Sequence, residues 1–70
     1  MTLAEILAAE LARSGVSLNE LARNAEQSPG RVHAILSGET KSPGILTVKA
    51  IVDAMGRTLA WLDREMRKEP

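Results

Sequence analysis

One histidine and no cysteine leave this chain little from which to build a reactive centre. Protein-held zinc, haem and iron–sulfur groups draw on several such ligands, so no metal or cofactor is expected. His33 is the sole imidazole, and no carboxylate stands within one helical turn of it to complete a catalytic pair. The expectation is therefore not an enzyme. The residues from Ser28 to Lys41 suit a different chemistry, the recognition of an anion. Ser28-Pro29 reads as a helix start, with Ser28 as N-cap and Pro29 at the first helical position. The leading N–H groups of such a helix favour phosphate. With Val32, Ile35 and Leu36 inward at about 100° per residue, the outward ridge centres on Gly30, Ala34 and Ser37. Arg31 and His33 flank it on opposite sides. Thr40 and Lys41 in the next loop, and Asn19 at the head of the preceding helix, are further candidate phosphate contacts.

The elements that must position these groups are legible from their caps. Thr2-Leu3-Ala4-Glu5 fits a capping box, followed by Leu3, Ile6, Leu7 and Leu11 at helical spacing and a stop at Ser14-Gly15. Ser17-Leu18-Asn19-Glu20 fits a second box, opening a short helix with Leu21, Ala22 and Ala25 inward. Gly38 suits a left-handed cap on the helix begun at Ser28, and Glu39 to Gly44 reads as a loop broken by Pro43. From Ile45 the β-branched content is that of a strand, but Val48, Ile51, Val52 and Met55 follow the helical period up to Gly56. Thr58 caps a fifth segment with Leu59, Leu62 and Met66 on one stripe. The expected architecture is all-α: five short helices in one domain over residues 1–70, with a frayed tail at 67–70.

Size and charge limit the rest. Seventy residues make a core of only about 3–5 kcal/mol, which favours tight helix packing or self-association. The start of the chain is not a secretory signal, since Glu5 and Glu10 interrupt its apolar residues. No apolar run is long enough to span a bilayer, so a cytoplasmic location without membrane contact is expected. The net charge is zero, but residues 13–50 carry five cations against three acids. That is a mild basic bias over the segment of interest.

The order of these segments resembles the phage repressor/Cro-like helix-turn-helix family (lambda repressor-like, XRE-type) over roughly residues 3–62. Gly15-Val16-Ser17-Leu18-Asn19-Glu20-Leu21-Ala22 is similar to the entry segment of that family. Leu36-Ser37-Gly38-Glu39-Thr40-Lys41-Ser42-Pro43 is similar to its loop after the recognition helix, and Ala54 to Leu62 to its closing turn and last helix. The resemblance implies a five-helix domain whose helix 28–37 enters the major groove of DNA. It places the base-contacting positions on Pro29, Gly30 and Ala34, none of which can hydrogen-bond a base edge through its side chain. Small residues there let the backbone approach closely, Ala34 can touch a thymine methyl, and Arg31 is the best candidate base reader.

Three departures stand out. Glu26 occupies a turn position usually filled by glycine, so a left-handed backbone there is strained or the turn differs. Leu18 replaces a common Gln. Leu11 and Leu36 stand where many members carry a buried Arg–Glu pair, replaced here as a unit.

The resulting expectation is a transcriptional regulator, a dimeric repressor of phage or bacterial origin on a palindromic double-stranded operator. Trp61, Leu62 and Met66 are the candidate dimer contacts, Trp61 serving alternatively as a lid on the core. Two other functions stay open. One is an antitoxin that binds a toxin and represses its own operon; the other is a protein–protein adaptor that kept the fold without DNA binding. The alternative reading of Gly30 and Ala34, four residues apart, is a close helix–helix contact.

Overall fold

Each helix begins where a short polar side chain can take up a free backbone N–H. The computed structural model describes residues 1–68 as α1 (Leu3–Ser14), α2 (Leu18–Asn24), α3 (Pro29–Leu36), α4 (Ile45–Ala54) and α5 (Leu59–Arg67). The Thr2 box closes in both directions, with Glu5 N–H donating to Thr2 Oγ1 at 3.2 Å and Thr2 N–H to Glu5 Oε1 at 2.7 Å. The Ser17 box closes only by half. Glu20 N–H donates to Ser17 Oγ at 3.1 Å, and no described bond runs back from Ser17 N–H to the Glu20 carboxylate. Ser28 and Thr58 cap α3 and α5 in the same one-way manner, each such cap contributing about 1 kcal/mol. α4 starts at Gly44 without a side-chain cap. Its helical period wins over β-branched content because Val48, Ile51 and Val52 on one stripe are all buried. The tail is helical through Arg67 and capped at Lys68, while the rest of the expected frayed segment lies outside the described residues.

α1 packs on α3 and α5, α2 on α3 and α4, and α4 on α5. The centre is filled by Leu7, Leu21, Val32, Ile35, Ile51 and Val52, so every one of the first four helices sends a fully buried side chain inward. Ala22 is also fully buried, between α2 and its neighbours, where a larger side chain would force the helices apart. Leu62 closes the core from α5, with Leu59 and Trp61 partly buried against it.

The turn between α2 and α3 fixes how the second helix leaves the first. Glu26 N–H donates to the Arg23 carbonyl at 3.1 Å and Gln27 N–H to the Ala22 carbonyl at 2.9 Å. That pair of reversed bonds is a Schellman cap, whose outer residue takes a left-handed conformation. Glu26 does so, with φ 58°, the sole positive φ at a residue other than glycine among those described. The end of α4 repeats the motif with a glycine. Gly56 N–H bonds to the Asp53 carbonyl at 3.0 Å and Arg57 N–H to the Val52 carbonyl at 3.1 Å, with Gly56 at φ 77°. The turn thus keeps its left-handed shape without the glycine, and the hydrogen bonds hold a backbone that an L side chain disfavours.

Candidate nucleic-acid interface

α3 presents the expected ridge. Val32, Ile35 and Leu36 are buried, whereas Pro29, Gly30, Arg31, His33 and Ser37 are exposed and Ala34 is half-buried. A Cβ built on Gly30 would meet nothing within 4 Å, so Gly30 does not mark a close helix–helix contact. The ridge is open and low at Gly30, with Arg31 and His33 on its flanks.

The phosphate site expected at its head is narrower than the sequence suggests. Pro29 has no N–H, the Arg31 N–H donates to Ser28 Oγ at 3.1 Å and the Val32 N–H to the Ser28 carbonyl at 3.1 Å. The Gly30 N–H is the first-turn donor left uncommitted, together with the Ser28 hydroxyl proton. Arg31 projects from the exposed face with no ion pair to any described residue. Asn19 sits exposed in the first turn of α2, and Thr40 and Lys41 are exposed in the loop after α3. That loop is tied to the ridge, since the Thr40 N–H donates to the Ala34 carbonyl at 3.1 Å.

Two of the exposed candidates have further neighbours within the chain. Ser37 stands one turn after His33, but its hydroxyl reaches the Ala34 carbonyl at 3.3 Å and Glu39 Oε1 at 3.4 Å. Its proton is shared within the chain, and a carboxylate sits beside it. His33 lines an apolar groove of about 570 Å³ with Leu11, Leu18 and Leu36, on the α1 side of α3. Leu36 is part of the buried core and Leu11 is partly buried against that core.

The sequence profile of the helix-turn-helix family matches residues 7–62. The chain belongs to this family, in its phage repressor/Cro-like, XRE-type branch. No curated protein and no solved structure matches it. The matched span holds α2, α3 and α4 entire, and a helix-turn-helix domain of this kind is a DNA-binding module of transcription regulation rather than an enzyme. Among the described residues no helix is long and apolar enough to cross a membrane.

The three dimer candidates of this helix-turn-helix protein separate. Leu62 is 6 % exposed and packs into the core of the single chain. Trp61 is half-buried against the core, with the Arg57 guanidinium 5.3 Å from its ring centroid. Met66 remains open at 45 % exposure. Ile45 and Leu46, at the head of α4, are exposed as well.

One feature escaped the sequence reading. Glu10 is buried on the inner stripe of α1, its Oε1 accepting from Arg13 at 2.8 Å and its Oε2 from Arg57 Nε at 2.9 Å. Burial pushes the Glu10 carboxyl up, but the hydrogen bonds from Arg57 and Arg13 outweigh it and hold the group below the usual carboxylate range. The available signal was its position one turn after Ile6 and Leu7 on the same face.

Proposed function

We propose that this protein is a sequence-specific repressor that binds a palindromic operator as a dimer, with α3 lying in the major groove. The open ridge at Gly30 carries the reading: it lets the helix backbone approach base edges that a larger side chain would hold away. In this reading Arg31 reads a base from the flank, and Pro29 and Ala34 make apolar contact in the groove. Asn19, Ser28, Thr40 and Lys41 hold phosphates on either side. Ser37 and His33 are secondary, the first because its proton is engaged and the second because it borders the apolar groove. Met66, Ile45 and Leu46, three of the exposed large apolar side chains, are the candidates for self-association. The cytoplasm is the compartment where such a regulator meets its operator.

Selection of bound duplexes from random DNA by the purified chain tests this. A two-fold symmetric consensus is expected, with affinity falling steeply as salt rises. Absence of binding to any duplex at low salt overturns it in favour of an adaptor. Binding to DNA that is completed only by a co-purifying toxin identifies an antitoxin instead.

A further inference from the structure

A cleft of about 540 Å³ opens between α1 and α5, within the roughly 300–1,000 Å³ range of small-molecule sites. No residue of α2 or α3 lines it, so it is separate from the reading helix. Its walls combine two chemistries. Ile6, Ala9 and the Trp61 ring supply apolar surface, and Arg13, Arg57, Arg64 and Lys68 bring cationic groups to the same opening. Glu10 and Glu65 are the carboxylates of the lining, so four cationic side chains face two acidic ones among the described residues.

The way those acids are used leaves donors free. Glu10 takes one nitrogen from each of two guanidiniums, Arg13 Nη2 and Arg57 Nε. Each guanidinium carries five N–H groups, so both keep unengaged donors. Glu65 pairs with Lys68 at 2.8 Å. The Arg64 side chain has no ion pair or hydrogen bond to any described residue. The protein as a whole is neutral, so this positive excess is a local concentration.

We infer that this cleft binds a small organic anion with a flat apolar body, its ring against Trp61 and its acidic group among Arg13, Arg57 and Arg64. A planar guanidinium holds a carboxylate through paired N–H donors and stacks on an aromatic face, and Arg57 over Trp61 already shows the second geometry. This does not depend on how, or whether, α3 reads DNA.

The probe is 2-naphthoate, titrated into the full chain and followed by amide, indole and guanidinium N–H resonances. Saturable shifts are expected at Trp61, Arg57 and the facing residues of α1 and α5. The neutral analogue 2-naphthalenemethanol should bind at least about fivefold more weakly, and so should 2-naphthoate to Arg64→Ala, the worth of one exposed charge contact. The Arg64 side chain is exposed and unbonded to any described residue, so truncating it leaves the fold in place, which the unliganded spectrum verifies. Equal binding of the neutral analogue, shifts centred on the groove at Leu11, Leu18 and Leu36, or no saturation would each overturn the inference.

Discussion

Arg57 Nε donates to Glu10 Oε2 at 2.9 Å across forty-seven positions of chain, joining the turn after α4 to the inner face of α1. The same guanidinium lies over Trp61, so one side chain fastens three elements. Glu10→Gln should lower unfolding free energy by about 1–2 kcal/mol, the worth of a charge-assisted bond at a half-covered site. Chemical denaturation of Glu10→Gln, Arg57→Ala and the double variant measures it. Additive losses would show that the two groups are not coupled.

The same pair sets an acid limb. Glu10 has a lowered carboxyl pKa, and so has Glu5, whose carboxylate accepts from the Thr2 backbone and side chain. A depressed folded pKa adds stability above the unfolded value of about 4.3 and loses it as pH falls through the folded value. Stability should therefore decline from about pH 5 downward, and the decline should be shallower in Glu10→Gln. Thermal melts at graded pH test this, an unchanged slope counting against the pair.

Glu26 and Gly56 occupy the same position of the same cap, and only Glu26 carries a Cβ there. Glu26→Gly removes a left-handed penalty of about 1–2 kcal/mol and adds back roughly 0.5–1 kcal/mol of unfolded-chain entropy. A net gain of about 0.5–1 kcal/mol is expected from these terms, visible as a higher urea midpoint. A loss would mean that the exposed Glu26 side chain contributes something its geometry does not show.

Gly30→Glu places bulk and negative charge on the open ridge, where an added Cβ has nothing within 4 Å. DNA binding should vanish in a mobility-shift assay while the melting temperature stays level or rises, since an acidic residue suits the first turn of a helix. Retained affinity would show that α3 does not enter the groove.

Arg31→Ala should weaken operator binding by about 1–3 kcal/mol and relax the preference at one base position if the guanidinium reads a base. A uniform loss over all duplexes, with a shallower salt slope, would make Arg31 a phosphate contact. Competition binding against single-base operator variants separates the two.

Most of the fold could be read ahead because its signals are local. Thr2, Ser17, Ser28 and Thr58 each announce a helix within three residues, and every one caps a helix in the structure. The ridge on α3 was equally legible, since three buried residues on one helix fix what faces out. Glu10 and Arg57 were not, because nothing in either neighbourhood marks a partner forty-seven positions away. The half-formed box at Ser17 and the shared proton of Ser37 depend on side-chain rotamers, which spacing does not determine.

The emptiness around Gly30 separates two properties that usually constrain each other. Its backbone is ordinary helix and its side is open solvent, so most replacements there cost the domain nothing and gain up to about 1 kcal/mol of helix propensity. A change of target therefore needs no compensating change in the core. Position 30 is where a library of variants would most readily yield altered operators on an intact scaffold.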